Sequence, residues 1–532
     1  MLSDVEQTRL RVSSNTGAKR KSQFGQFLTP ATTARFMAGL FSPMLNCPCR
    51  LLDPGAGIGS LSSAFLDRCH SGDLAFSEIT VTAFELDNLL QHELTHTLSS
   101  HATEVSLKYE VLGGDFIEQA VNRIQFGQCD FTHAILNPPY KKINSDSHHR
   151  LLLRQVGIET VNLYSAFLAL TVALLAPGGQ LVAIIPRSFC NGPYYRPFRD
   201  FLLERTAIRQ LHLFDSRNKQ FKDDAVLQEN VILVLERGGR QGEVTVSTST
   251  DDSFVDLSIN THPFERIVFS GDEARFIHVP TTIEQSPIEQ SGTIRYSLED
   301  LGINVSTGPV VDFRLKEHLR HLPEPGAVPL LYPAHFRCLM TQWPQPGLNK
   351  ANAIQRNPET EKWLYPVGCY CVVRRFSAKE EKRRVVAGVV NPDAFDGSEV
   401  LGFENHLNVF HQQKQGLPDA LAHGLAVFLS TTAVDENFRR FSGHTQVNAT
   451  DLKLMKYPSR EVLIALGAWA MQQNCVLTQA MIDSKFEMLL VAFDEVRHQS
   501  RSDRWQAASG PGPSVPIKLK PDPQGSSPVR IG

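Results

Sequence analysis

The sequence predicts an α/β protein: a doubly wound, mostly parallel sheet of seven strands with helices on both faces, followed by a C-terminal mixed α+β domain. Three observations carry this expectation. From residue 50 to residue 236, short apolar runs alternate with helical stretches, the order produced by parallel strands joined through crossover helices. The first apolar run, Arg50-Leu51-Leu52, enters a glycine-rich turn, Asp53-Pro54-Gly55-Ala56-Gly57-Ile58-Gly59, and a helix succeeds it. Near Glu236–Gly242 the composition changes, and prolines at 309, 323, 325, 329, 333, 344 and 346 cut the C-terminal half into short pieces.

At 532 residues the chain has room for two to four domains of about 150 residues each, and its 42% hydrophobic and 20% charged residues are those of an ordinary folded protein. The net charge of −3 excludes a global polycation, so nucleic acid must be met by local basic patches. No apolar run reaches the ~18 residues of a membrane span, and the N-terminus lacks the apolar core of a secretory signal. Nine cysteines include the pairs Cys47/Cys49 and Cys369/Cys371, which are C-x-C rather than C-x-x-C, so no metal site is expected. A reducing cytoplasm suits scattered free thiols.

Residues 1–21 carry Arg9, Arg11, Lys19, Arg20 and Lys21 and are expected to be a flexible basic arm. Residues 22–242 form the first domain. Its opening segment, Phe24–Pro30, ends with Thr29 as a helix cap and Pro30 at the first helical position, ahead of Met37, Leu40, Phe41 and Met44 at i, i+3, i+4, i+7. Strands are expected at 50–52, 79–84, 107–112, 131–136, 180–186, 208–214 and 230–235, with a hairpin-like excursion between the last two that carries Phe221. Residues 243–295 read as a linker or boundary region and 296–500 as the second domain. In the latter, Arg374-Arg375 and Lys382-Arg383-Arg384 lie among Tyr365, Tyr370 and Phe376, a mixture that suits phosphate and base contact and equally a solvated surface. Helices are expected at 461–473 and 478–498, and the Gly/Pro/Ser-rich tail 501–532 is expected to be disordered.

The chemistry collects at strand ends. Gly55 and Gly57 let backbone approach a ligand closely, while Asp53 before them would repel a pyrophosphate and favour a cofactor with a positive centre. Glu85, at the tip of the second strand, can accept from two ribose hydroxyls, although a helix cap is the plainer role for Asp87 beside it. Asp115-Phe116 pairs an acceptor with an aromatic face, the grip a purine needs. After the buried run Phe131–Leu136 comes Asn137-Pro138-Pro139-Tyr140, where two prolines fix the backbone and hold a polar amide and an aromatic ring outside the sheet.

Taken in this order, the set resembles the S-adenosylmethionine-dependent adenine-N6 DNA methyltransferases of type II restriction-modification systems, in their gamma-type arrangement, and among these the XhoI-type modification methylases. The likeness covers about residues 22–236 well and 300–460 more loosely. It implies a Rossmann-like methyltransferase sheet and a DNA target-recognition domain. Thr29 and Pro30 would border the cofactor, with Asp53, Gly55 and Gly57 under its methionine part, Glu85 on the ribose, and Asp115 and Phe116 on its adenine. Asn137, Pro138, Pro139 and Tyr140 would take the target base, and Phe221 would cover its other face. The implied partners are double-stranded DNA and a restriction endonuclease acting on the same site, with no membrane and a monomeric enzyme.

The residue types fit that reaction. An aromatic amine is a poor nucleophile because its lone pair is delocalised. Acceptance of its hydrogens by the Asn137 side-chain oxygen and the Pro138 carbonyl would restore the lone pair, and stacking walls would hold a flipped base. The same motif also serves enzymes acting on cytosine N4, on RNA or on a protein glutamine. A non-catalytic DNA-binding shell with methyltransferase-like form is the alternative from outside enzymology.

Overall fold

The computed structural model describes residues 1–15, 28–44, 47–103, 106–215, 229–395, 397–442 and 445–508. Its central sheet has nine strands: β1 (Pro48–Pro54), β2 (Glu78–Phe84), β3 (Leu107–Leu112), β4 (Phe131–Leu136), β5 (Leu175–Pro186), β6 (Thr206–Phe214), β7 (Asn230–Arg237), β8 (Glu243–Ser249) and β9 (Ser258–Pro263). Their spatial order is 3-2-1-4-5-7-6-8-9. Pairing is parallel from β3 through β5, and β7 lies antiparallel between β5 and β6. Strand β1 pairs β2 on one side and β4 on the other, so the chain changes direction there and leaves a crevice at the strands' carboxyl ends.

Helices α2 (Ala31–Gly39), α3 (Ser60–His70) and α4 (Asn88–Ala102) cover one face, and α5 (Phe116–Gln125), α6 (His148–Gln155), α7 (Leu163–Leu174) and α8 (Arg196–Arg205) cover the other. The period of two along a strand divides β4 between them: Ile135 packs with the first group, Ala134 and Leu136 with the second.

Two expectations are corrected. The sheet has nine strands rather than seven, because part of the expected linker 243–295 folds as β8 and β9; Val244 and Val246 alternate inward and extend the core. The expected basic arm is helix α1 (Leu2–Asn15) over most of its length: Leu2, Val5 and Arg9 fall at i, i+3, i+7 and are buried, and Val5 meets Ile58 and Leu90. Of the expected disordered tail, residues 501–508 continue a helix and the rest lies outside the described residues.

The C-terminal part holds a six-stranded sheet centred on Leu407–His411, Tyr370–Arg374 and Ala387–Val390, and a five-stranded sheet around Ala327–Leu331 and Val400–Phe403. Helices α9 (Asp419–Leu429), α10 (Thr432–Phe441), α11 (Ala449–Leu454), α12 (Arg460–Met471) and α13 (Gln479–Ala508) complete it. This part docks at the carboxyl ends of β5 and β6 and the amino end of β7 between them. Arg187, after β5, pairs with Glu229 at 2.6 Å and donates to the carbonyls of Arg439 (3.0 Å) and Arg440, while Lys379 donates to the Phe214 carbonyl at 3.0 Å. No helix among the described residues is long and apolar enough to cross a membrane.

Candidate active site

Strand β4 is buried along almost its whole length, and Pro138 and Pro139, lacking amide hydrogens, carry the chain out of the sheet at its carboxyl end. Asn137 is held from both sides there. Its Nδ2 donates to Thr29 Oγ1 at 3.1 Å, and its Oδ1 accepts from the Tyr140 hydroxyl at 3.0 Å. Burial pushes the Tyr140 phenol well above its ordinary range, so it stays a hydrogen-bond donor. Thr29 spends its hydroxyl on Asn137 and does not cap α2. Pro30 occupies the cap position instead, and the Ala31 amide donates to Glu6 of α1 at 2.9 Å.

The glycine-rich turn folds back onto the end of β2. Gly55 and Ala56 donate to the Phe84 carbonyl at 2.9 and 2.8 Å, and Gly57 donates to Glu85 Oε2 at 2.8 Å. Gly57 has φ +59°, a left-handed conformation that favours glycine, and a Cβ there would meet only the movable end of Leu28, at 2.9 Å. Glu85 Oε1 accepts from the Asp87 amide at 2.8 Å, and Asp87 itself caps α4. Asp115 caps α5, accepting from Ile117 (2.7 Å) and Glu118 (3.3 Å) through Oδ1, and its Oδ2 accepts from His149 Nε2 at 2.8 Å.

These elements enclose a cavity of about 230 Å³. Gly55, Gly57, Glu85, Asp115, Phe116, Pro139 and Asn137 line it. Phe116 forms its apolar side with Phe84 and Phe167, at ring distances of 5.1 and 4.8 Å. Asp53 lies beneath the turn, fully buried, with Oδ2 accepting from Ser62 Oγ at 2.6 Å. Burial, with Glu85 nearby, pushes the Asp53 carboxyl up to about 7, and burial pushes Glu85 up to about 6. Thr29, Pro30, Pro138 and Tyr140 stand behind or beside the cavity rather than on its wall, and Phe221 lies outside the described residues.

Over 498 residues the chain is 51% identical to the type II methyltransferase M.BsuBI of Bacillus subtilis, covering 92% of this chain and 98% of that protein. The chain belongs to the type II restriction-modification methyltransferases. M.PstI of Providencia stuartii, a second type II methyltransferase, is 40% identical over 86% of this chain and 92% of its own. The family model of the Eco57I restriction-modification methylase matches residues 64–221. A tRNA1(Val) (adenine(37)-N6)-methyltransferase of Shewanella woodyi is 26% identical over 38% of this chain and 84% of its own.

The cofactor of this methyltransferase is S-adenosylmethionine, and the cavity suits it. Two carboxylates stand on its wall, the buried Asp53 Oδ1 has no hydrogen-bond partner among the described residues, and Phe84, Phe116 and Ile117 supply apolar surface. That donor set matches a nucleoside bearing hydroxyls, an amine and positive charge. Sequence reasoning missed His149, Lys141 and Phe167 on the wall. The first two sit in a polar stretch, 141–160, that reads as a rim, and Phe167 sits in a helix that reads as core; no local pattern marks any of them.

Proposed function

We propose that this methyltransferase modifies the exocyclic N6 of an adenine in double-stranded DNA, protecting its host's DNA from an endonuclease that cuts the same site. The observation that carries the reading is the Asn137 amide, held between Thr29 and Tyr140 at the end of β4 and bordering the cavity that Gly55, Glu85 and Asp115 line. S-adenosylmethionine, when bound, supplies a methyl group activated on a sulfonium centre. In this reading Asp115 and Phe116 take the cofactor's adenine, Glu85 its ribose, and Gly55 and Gly57 its methionine part, with Thr29 and Pro30 at its edge. Asp53, one layer beneath the turn, contributes negative potential from below.

Asn137 Oδ1 and the Pro138 carbonyl each accept one hydrogen of the target amine, drawing the nitrogen toward a tetrahedral form with its lone pair aimed into the cavity. A carbonyl oxygen has two lone pairs, so accepting from Tyr140 is compatible with accepting from the amine. Positioning and electrostatics lower the barrier, and no covalent intermediate is needed. Pro139 stiffens the loop, the Tyr140 ring stacks on the target base, and Phe221 is assigned to its opposite face. A base inside a duplex cannot enter such a pocket, so the target adenine is flipped out of the helix.

The adenine assignment draws support from the tRNA adenine-N6 relative, whose likeness covers 38% of this chain. Duplex DNA as substrate draws support from the family and from the C-terminal part, where Arg374, Arg375 and an exposed Phe376 lie near Lys379, docked on Phe214 at the end of β6. Residues 22–242, with β8 and β9 continuing their sheet, act as catalytic domain and 296–500 as recognition domain in a cytoplasmic monomer. The relatives that span most of the chain, M.BsuBI and M.PstI, lend no support to an XhoI-type specificity.

The test is incubation with S-adenosylmethionine and unmethylated bacterial DNA, then mass spectrometry of the nucleosides, with Asn137→Ala beside it. N6-methyladenine made only by the intact protein is expected. N4-methylcytosine would move the base, and the absence of any methylated base would overturn the reading.

A further inference from the structure

Asp115 divides its carboxylate between two partners. Oδ1 is committed to the amides of Ile117 and Glu118, while Oδ2 accepts from the His149 ring at 2.8 Å. Both side chains line the cavity, and His149 reaches it from α6, across from the helix that Asp115 caps. The imidazole therefore already donates to the carboxylate assigned above to the cofactor's adenine amine. Oδ2 has a second lone pair, but a ring that stands on the cavity wall beside it crowds the approach of a second donor, and a charged imidazole is the stronger of the two.

We propose that His149 gates the cofactor cavity: its ring competes with the cofactor's adenine amine for Asp115 Oδ2 and swings off as the cofactor enters. This inference rests on the assignment of Asp115 to the adenine. The helix that carries the ring is anchored independently of it. Ser147 caps α6, Leu153 is buried, and Arg150 and Arg154 both pair with Glu159. His149 sits in the first turn of α6 with its side chain 33% exposed, so the ring has solvent to turn into while the helix stays in place.

The groups facing His149 are Asp115 and Glu118 from α5, Lys141 from the loop after β4, and His148 beside it on α6. The hydrogen bond to Asp115 raises His149 above the ordinary imidazole range, with its burial opposing. Asp115 is lowered in turn, the bonds from His149 and the helix amides outweighing its own burial. The closed gate is thus strongest with the ring charged, and opening it releases a proton to solvent.

Titration calorimetry of the full chain with S-adenosylhomocysteine, which keeps the adenine and needs no turnover, tests this between about pH 6 and pH 8.5. His149→Ala is expected to bind roughly three- to tenfold more tightly than the wild type near pH 6, as the loss of one competing hydrogen bond implies, and about equally near pH 8.5. His149→Gln, a donor that does not titrate, is expected to abolish the proton release seen with the wild type in buffers of different ionisation enthalpy. His148→Gln, which alters only an exposed contact to Glu118, is expected to behave as wild type. Equal or weaker binding by His149→Ala near pH 6, or the same gain in His148→Gln, overturns the gate while leaving the cofactor site standing. A wild type that binds nothing overturns the site assignment itself.

Discussion

Tyr140 donates its hydroxyl hydrogen to the Asn137 amide oxygen across 3.0 Å, while Thr29 accepts from the nitrogen of the same amide at 3.1 Å. The amide is thus tethered at both its nitrogen and its oxygen. Tyr140→Phe removes one hold but keeps the ring, and a net hydrogen bond of about 1 kcal/mol implies a fall in kcat of roughly fivefold with KM for DNA little changed. Tyr140→Ala also removes the stacking surface, and a further loss of about 1–3 kcal/mol in kcat/KM is expected. Asn137→Ala removes an acceptor aimed at the reacting amine, with an expected loss of roughly 10²–10³ in kcat. Steady-state methylation of a short duplex separates the three. Equal effects of Phe and Ala at 140 would remove the stacking role.

Asp53 and Glu85 make the cofactor-free protein sensitive to pH. Burial raises them to about 7 and about 6, from ordinary values of 3.8 and 4.5. Acids raised in the folded state stabilise it below their unfolded values, and that contribution is lost as pH climbs through the folded ones. The loss is on the order of 3 kcal/mol for a fully buried carboxylate shifted this far. Tm of the free protein is therefore expected to fall between about pH 4 and pH 7, and S-adenosylmethionine, bringing positive charge, to stabilise more at the upper end. Asp53→Asn should flatten the free protein's profile. Scanning calorimetry of the two proteins checks this, and identical slopes would remove Asp53 as the cause.

Much of the catalytic domain was legible because its signals are local. Strand β4 is a six-residue apolar run closed by two prolines, and Asp87 and Asp115 cap their helices as short-range residues do. What escaped depends on partners distant in sequence. Arg9 lies among the cations that suggest a solvated arm, yet its guanidinium is buried on α1 beside Glu6, whose carboxylate reaches the Ala31 amide. Asp53 reads as a ligand-facing acid until Ser62, one helical turn into α3, is seen to hold it beneath the turn. His149 meets Asp115 from 34 residues away. Strand β8, with Val244 and Val246 inward and polar residues between, becomes a strand only because β6 offers an edge.

Two glycines that drew no notice in the sequence control the C-terminal helices. A Cβ on Gly424 of α9 would lie 1.8 Å from the Leu463 carbonyl oxygen, and one on Gly467 of α12 would lie 1.7 Å from that of Ala420. Both obstacles are backbone, so α9 and α12 would have to move apart. Gly424→Ala and Gly467→Ala are each expected to destabilise this part by about 1–3 kcal/mol or more despite alanine's better helix propensity. Gly39→Ala, with open space around it, serves as the control. Urea unfolding measures the difference, and a stabilised Gly424→Ala would mean the two helices pack less closely than described.

Arg187 and Glu229 join the two halves of the molecule. Each is 3% exposed, their charges meet at 2.6 Å, and the guanidinium reaches on to the carbonyls of Arg439 and Arg440 at the end of α10. Lys379 adds a second cation to Glu229 at 3.3 Å. Removing Glu229 leaves the buried Arg187 and the half-buried Lys379 facing each other across the junction, so Glu229→Ala is expected to cost about 3–5 kcal/mol. Because Arg187 also ties backbone of the C-terminal part, Arg187→Met combined with Glu229→Leu should recover the charge penalty but not the docking. Scanning calorimetry is expected to split the single transition in both variants as the halves melt apart, with the lower one highest in the double variant. A single unsplit transition in Glu229→Ala would show that apolar packing, and not this pair, holds the junction.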